Sequence, residues 1–374
     1  MSDKRIHVAL VAHDVDDSGG MERAVAELIR CRPEVDFTVV SYALAADLRD
    51  KVRWIRVPGT PPFFLLKFLW FYVVSVFLIP RDVDVVQTLG AITPRRADVV
   101  TLQFCHAGYR RKVGGLAPDG VGGVRRLHTI ACRWVALQAE RWSYRPGRAG
   151  VFAAVSEGVA EEARTSYPGI PTAITPNGVD FERFRPDRPV KAGLSRTTPL
   201  VALFVGGDWH RKGLAALVAA IEDPRCAKWS AWIVGPGDPA PFKAMAPEAV
   251  RDNRLVFLGK RPDVEEFMAQ ADALVFPTSY EAFSLVTLEA AAAGLPILMT
   301  AVNGQPEILE HGVNGLVITP TPASVAEALN SLEDSNLRSC MSASSRSRAV
   351  QSGWAEITAR HLPLWHQASK APSR

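Results

Sequence analysis

Cysteine is scarce in this chain of 374 residues. The five present, Cys31, Cys105, Cys132, Cys226 and Cys340, are scattered, odd in number and without a C-x-x-C pair. That argues against a disulfide framework or a zinc site, and for a reducing compartment. The G-x-G-x-x-G spacing of a dinucleotide site is absent, and no Walker lysine follows the glycine pair near the start, so neither cofactor fingerprint is present. No Asp-x-Asp metal motif occupies a comparable loop. No divalent cation and no other cofactor is therefore expected. Met1 stands only a few residues before a strand-like run, Ile6 to Val11, so no signal peptide is expected. The long apolar run Pro62–Pro80, PFFLLKFLWFYVVSVFLIP, is broken only by Lys67. It approaches the ~20 residues that a membrane span requires. A span there would cut the first domain in two, which excludes it. The run reads either as a buried helix or as an interfacial one.

What is present describes a globular protein. Hydrophobic residues make up 48% and charged residues 22%, too apolar for a disordered chain. The length suits two domains. Strand-like runs recur at Ile6–Val11, Phe37–Tyr42, Val83–Val86, Val99–Leu102 and Val151–Val155, with helical patterns at Met21–Cys31 and Leu127–Arg141. The stretch Phe184–Pro199 is rich in proline and charge and reads as a linker. A second series follows at Leu200–Val205, Trp229–Val234, Leu255–Leu258, Ala273–Phe276, Pro296–Leu298 and Gly315–Ile318. Such alternation predicts parallel sheets covered on both faces. The expected domains are 1–185 and 186–355, followed by a helix and tail over 356–374.

Two glutamates eight positions apart, Glu281 and Glu289, lie within PTSYEAFSLVTLEAAAAGLP. A strand leads into a short polar turn, and an alanine-rich helix closed by Gly294 and Pro296 follows. Glu281 thus lies on the loop at the carboxyl end of a strand, and Glu289 about a turn and a half into the helix. In open α/β sheets that crevice binds ligands, and a helix N-terminus favours phosphate. Ser284 is placed to cap the helix. Two carboxylates beside a phosphate site suit a ligand with both phosphates and hydroxyls, such as a nucleotide sugar. Glu289 stands on a small apolar helix, and a buried carboxylate needs partners.

This stretch resembles the E-x7-E signature of the retaining glycosyltransferases of family 4. Further segments extend the resemblance from about Ile6 to about Ile318. They are Ser18-Gly19-Gly20-Met21-Glu22-Arg23, Pro176-Asn177-Gly178-Val179-Asp180, Phe204 to Gly213 (FVGGDWHRKG), Asn303-Gly304-Gln305-Pro306-Glu307 and His311-Gly312-Val313-Asn314-Gly315. The resemblance implies a GT-B fold, two Rossmann-like β/α/β domains facing across a cleft. The first would bind the acceptor and the second the nucleotide sugar, with the C-terminal helix packing back on the first.

Site residues follow from the same resemblance. Gly19 and Gly20 would let the backbone approach the donor, where a Cβ would clash. Gly206 belongs to the first loop of the second domain, and Lys212, before Gly213, would contact the donor diphosphate. Many members carry an arginine directly after the first glycine of that loop. Here the position is Gly207, a departure, and Arg211 is the candidate for the missing charge. An R-K-G loop of this kind is similar to that of the subgroup building the lipopolysaccharide core. His106 is the candidate for a histidine near the donor sugar, with His13 as the second candidate. Glu281 would face the transferred sugar and Glu289 the ribose. The amides of Leu285 and Val286, beside Ser284, would face the leaving phosphate. The catalytic set is thus His106, Arg211, Lys212 and Glu281.

Positive charge is local. Arg81 to Arg148 holds twelve lysines and arginines against five acids, +7 against +4 for the whole chain. It includes Arg95-Arg96, Arg110-Arg111-Lys112 and Arg125-Arg126, with a loop read as flexible over Val113–Gly123. A basic segment beside an apolar helix suits an anionic bilayer surface. Nucleic acid is not expected, since no recognised binding motif accompanies these residues. The expectation is a cytoplasmic enzyme, peripheral on the inner face of the membrane, using a UDP- or GDP-sugar and a glycan, lipid-linked or small-molecule acceptor. A catalytically silent nucleotide-sugar-binding protein and a nucleotide-sugar epimerase remain as alternatives on the same fold.

Overall fold

The computed structural model describes residues 5–116, 123–189 and 196–370. The chain divides into two units, Met1–Gly178 with Trp354–Arg374, and Val179–Gly353. The chain leaves the first unit a few residues before the expected boundary at 185. Residues 190–195 of the expected linker, and 117–122 of the loop expected to be flexible, lie outside the described residues.

The first unit carries strands β1 (His7–Val11), β2 (Asp36–Ser41), β3 (Arg53–Arg56), β4 (Val85–Leu89), β5 (Ala97–Leu102), β6 (Ala149–Ala154) and β7 (Thr172–Ile174). They form one parallel sheet in the order β3-β2-β1-β4-β5-β6-β7. Alternate residues of β1 feed opposite faces, as the two-residue period requires. Val8 and Leu10 join one core cluster with Val25 and Trp365, whereas Ala9 and Val11 join another with Phe68 and Phe71. The edge strands β3 and β7 escaped the sequence reading because RWIR and TAI lack an apolar run.

Four helices of this unit matter below: α1 (Gly20–Arg30), α2 (Phe64–Leu78), α3 (His106–Val113) and α4 (Gly123–Ser143). The apolar run Pro62–Pro80 forms α2. It buries Phe68, Phe71 and Ser75 and leaves Phe63, Phe64, Leu66, Leu69, Trp70, Val73 and Phe77 exposed. The run is therefore only half core. Among the described residues no helix is long and apolar enough to cross a membrane.

The C-terminal residues Trp354–Ala359 and His361–Ser369 form two short helices grouped with the first unit. Trp365 is fully buried, meets Phe37 edge-on at 5.7 Å and donates from Nε1 to Gln87 Oε1 at 2.5 Å. Where the chain passes between units, each end is tied within its own. Gly178 lies so close to Trp354 that a Cβ would stand 2.8 Å from its Cα. Val179 N donates to Ser352 O at 2.9 Å.

The second unit repeats the pattern with β8 (Leu200–Val205), β9 (Trp229–Val234), β10 (Leu255–Gly259), β11 (Ala273–Phe276), β12 (Ile297–Thr300) and β13 (Gly315–Ile318). Their order is β10-β9-β8-β11-β12-β13, again parallel. Every residue of β8, β9, β11 and β12 is buried, as a sheet covered on both faces demands. Strand order reverses beside β8, which puts its following loop and that of β11 at the switch point.

Two histidines of the first unit are poor places for charge. His13 sits among Phe71, Phe68 and Tyr42, and burial, helped by nearby Lys67, lowers its pKa to about 4. His361 is buried against Trp365, and burial lowers it to about 4. Both stay neutral in the folded unit while the unfolded chain takes up protons near pH 6.5. Their stabilisation is therefore full above pH 6.5 and is lost as pH falls toward 4, at about 1.4 kcal/mol per pH unit for each. NMR titration of the imidazoles at pH 5 should find both unprotonated. A midpoint near 6.5 for either ring would refute its burial.

Candidate active site

The loop after β8 is built around a tryptophan. Trp209 is buried, donates from Nε1 to Gly206 O at 2.9 Å and meets Phe242 edge-on at 5.5 Å. Asp208 takes a left-handed conformation (φ 53°) and its carboxylate accepts from Arg211 Nε at 2.7 Å. Gly213 also has positive φ, and a Cβ there would stand 2.1 Å from Pro277 O. No other residue fits this contact, which presses the loop against the segment leaving β11. Helix α5 (Leu214–Glu222) starts immediately after it.

Hydrogen bonds then lock the two segments. Arg211 O accepts from Ser279 N at 2.9 Å and Ser279 Oγ at 3.1 Å, and Arg211 Nη1 donates to Tyr280 O at 2.6 Å. Thr300 Oγ donates to Thr278 O at 2.5 Å from the neighbouring strand. The result places Glu281 Oε2 3.6 Å from Arg211 Nη1 and 3.9 Å from Lys212 Nζ. All three side chains are mostly buried yet keep a solvent-facing edge. Lys212 also packs under Gly206, where a Cβ would stand 2.8 Å from Nζ, and lies over the Phe276 ring at 4.7 Å. Burial lowers the Lys212 pKa, and the Glu281 carboxylate opposes that shift.

Helix α6 (Leu285–Ala292) follows. Ser284 caps it, its Oγ accepting from Thr287 N at 3.2 Å and Thr287 Oγ at 2.7 Å. The amides of Leu285 and Val286 occupy the first turn, where a helix supplies no acceptor of its own. Glu289 lies one turn further, buried at 6% exposure. Its charge acts on Arg183, whose pKa is raised against burial by a hydrogen bond to Glu265 and by the Glu265 and Glu289 carboxylates. Gly304, with positive φ, backs this region: a Cβ would stand 2.9 Å from both Ala282 O and Phe283 Cα. The second unit thus gathers Gly206, Arg211, Lys212, Glu281, Ser284, Leu285, Val286 and Glu289 at the carboxyl ends of β8 and β11.

The remaining candidates belong to the first unit. Gly19 caps α1 in an extended conformation that any residue adopts, and Gly20 is its first residue. A Cβ on Gly19 would meet only the end of the Glu22 side chain, so the fold itself does not demand glycine there. His106 opens α3 after β5. Its Nδ1 lies 2.8 Å from Glu140 Oε1, which also accepts from His106 N at 2.8 Å. Glu140 Oε2 accepts from Ala107 N at 3.2 Å and from Tyr167 Oη at 2.8 Å. Glu140 is 2% exposed, a buried carboxylate satisfied by four contacts. With Nδ1 held against a carboxylate, Nδ1 carries the proton and Nε2 is left as the imidazole's basic nitrogen. Sequence reading missed Glu140. The signal was there, because Leu137 and Glu140 of α4, with Tyr144 just beyond its end, form one inward stripe at helical spacing. His13, the second histidine candidate, is walled in by aromatic rings instead.

Two parallel-sheet units of this order, the second with a loop-and-helix site at its switch point, are those of the GT-B fold. The family model described as Glycosyltransferase Family 4 matches residues 18–183, and that described as Glycosyl transferases group 1 matches residues 199–335. The chain belongs to glycosyltransferase family 4 and uses a nucleotide-sugar donor. It is 27% identical over 399 residues to D-inositol 3-phosphate glycosyltransferase 1 of Catenulispora acidiphila, covering 94% of this chain and 91% of the other. It is 35% identical over 199 residues to the lipopolysaccharide glucosyltransferase WaaG of Escherichia coli, covering 51% and 50%. The crystal structure of WaaG superposes with a TM-score of 0.74 at 23% identity, over 94% of this chain and 98% of that one. HepE of Anabaena, crystallised with UDP and glucose, superposes with a TM-score of 0.67 at 18% identity, over 97% and 100%.

Glu140→Gln replaces an acceptor-only group with one whose amide must face donors. It should destabilise the first unit by about 2–4 kcal/mol, whereas His106→Ala, at a half-buried ring, should cost under about 1 kcal/mol. Urea unfolding followed by limited proteolysis of the first unit checks the contrast. Equal costs would mean that Glu140 is not the centre of this network.

Proposed function

We propose that this protein is a retaining glycosyltransferase that moves a sugar from a UDP- or GDP-sugar to a hydroxyl of a glycan, a lipid-linked acceptor or a small molecule, without a metal ion. One observation carries the reading: Arg211 and Lys212 both lie within 3.9 Å of the Glu281 carboxylate, on the segment that leads into the capped N-terminus of α6.

The chemistry explains why such a cluster is useful. Breaking the bond between sugar and diphosphate develops negative charge on the leaving phosphate and positive charge on the ring. Preorganised donors aimed at that phosphate are usually the largest catalytic contribution. Arg211, Lys212 and the amides of Leu285 and Val286 supply them here. Their 3.6 and 3.9 Å separations from Glu281 are longer than tight ion pairs, so the cations hold their positions while retaining donors for a phosphate. The charge missing at Gly207 comes from Arg211, which Asp208 and Tyr280 O fix in place. Glu281 faces the sugar hydroxyls and Glu289 the ribose. Gly19, whose smallness the fold does not require, and Gly20 leave room for the donor sugar. His106, held by Glu140, is our candidate for the histidine that acts on the donor sugar, through Nε2. The leaving phosphate itself takes the acceptor proton, so no enzyme nucleophile is needed. A uridine donor is the first to test, given the UDP and glucose bound to HepE. The excess of positive charge in the first unit and the name of the lipopolysaccharide glucosyltransferase WaaG favour a lipid-linked or anionic acceptor and a peripheral position on the inner face of the membrane.

Lys212→Ala should lower turnover about 10²–10³-fold, the usual cost of one phosphate-facing donor, and Arg211→Ala should cost more than a surface arginine does. Glu289→Gln should weaken binding of free UDP or GDP, measured by calorimetry, while Glu281→Gln leaves that binding nearly intact and lowers turnover. Equal binding and normal turnover in both glutamate variants would overturn the site assignment. Excess EDTA should leave activity in place. Its complete loss with EDTA, with recovery on adding Mn²⁺ or Mg²⁺, would refute the metal-free mechanism.

A further inference from the structure

We propose that the exposed face of α2, framed by the cations of α4 and its neighbours, seats this protein in the interfacial zone of an anionic lipid bilayer. This deepens the acceptor reading above, and its test is read independently of glycosyl transfer.

Helix α2 has no polar face. One stripe, Phe68, Phe71 and Ser75, enters the core of the first unit. The opposite stripe, Leu66, Trp70, Val73 and Phe77, repeats at the same three- and four-residue spacing and faces water, with Phe77 83% and Val73 58% exposed. Phe63 and Phe64 extend it. A surface helix normally carries polar residues on its outer side, and a contiguous apolar patch of this kind marks an interaction site. Lys67 is the helix's one charge, and it turns inward to Asp14 at 3.0 Å.

The surroundings say what covers it. Helix α4 packs beside α2 through Val135 and Ala139. The outer side of α4 exposes Leu127, Trp134 and Trp142 together with Arg126 and Arg141. Its one acid, Glu140, is turned inward to His106. Arg145 and Arg148 lie over the Trp142 ring at 5.2 and 4.3 Å. Arg110 and Arg126 line a pocket of about 410 Å³ with Leu116, Ile130 and Trp134. Arginine and tryptophan interleaved around an aliphatic and aromatic ridge match anionic headgroups outside and acyl chains within. A second copy of the chain fits less well, because a two-fold contact would set these arginines against themselves.

The test uses the full chain and sedimented vesicles of phosphatidylcholine, with and without phosphatidylglycerol. The wild type should bind the anionic vesicles at low salt and keep part of that binding at ~0.5 M salt, where charge is screened within a few ångströms but apolar insertion is not. The double variant Val73→Ser/Phe77→Ser should lower partitioning at least tenfold while keeping the wild-type Tm and donor hydrolysis. If the pair loses stability, Phe77→Ser alone serves. Arg141→Ser with Arg145→Ser should remove the preference for anionic vesicles and leave residual neutral binding. Unchanged partitioning of the α2 variant overturns the proposal. So does a wild type that ignores vesicles but runs as a dimer in light scattering and becomes monomeric with Val73→Ser/Phe77→Ser. Donor hydrolysis is measured in the same samples without lipid. Its absence in the wild type would count against the glycosyltransferase reading and leave the vesicle result standing.

Discussion

The second unit depends on one close approach, the packing of Gly213 against the carbonyl of Pro277. A methyl group would overlap that oxygen at 2.1 Å, so only a glycine lets the loop after β8 lie flat against the segment leaving β11. From this contact follow the bond from Ser279 to Arg211 and that from Arg211 to Tyr280 O, and from those the placement of both cations beside Glu281. Opposite charges are thereby held near each other without closing on each other. The cost of burying Lys212, visible in its lowered pKa, is offset by the nearby carboxylate.

The first unit solves a similar problem differently. There a single buried carboxylate, Glu140, gathers two backbone amides, a tyrosine hydroxyl and an imidazole. A buried charge is tolerable only when fully partnered, and this one is. The same bonds that satisfy it fix the first turn of α3 and the ring of His106. Stability and orientation of the imidazole are therefore one device, and a change to either partner is felt by both.

Much of this was legible in the sequence because each strand of a covered parallel sheet is a short apolar run. β8, β9, β11 and β13 match the runs read from Leu200, Trp229, Ala273 and Gly315. The edge strand β3 was not legible, since Arg53 and Arg56 interrupt its pattern. The Glu281 and Glu289 pair could be placed on a loop and a helix because Pro277, Ser284 and Gly294 punctuate that stretch. Glu140 was hidden for the opposite reason. Its helix is rich in charge, and a single acid on such a helix looks solvated until the stripe of Leu137 and Tyr144 is traced. The run at Pro62–Pro80 left core and surface open, because hydropathy alone does not say how many faces of a helix find a partner.

The passage of the chain at Gly178–Val179 and its return at Gly353–Trp354 has a consequence for biogenesis. The first unit is interrupted, and its core residue Trp365 comes from the last part of the chain. On the ribosome the sheet begun at His7 must wait for the roughly 175 intervening residues before that indole arrives, a delay of roughly ten to thirty seconds at ordinary elongation rates. Over that interval the second unit, continuous in sequence, can close on itself, while the first remains an open sheet with a vacant seat beside Gln87 and Phe37. The nascent half that also carries the bare face of α2 is thus the half whose core is completed last.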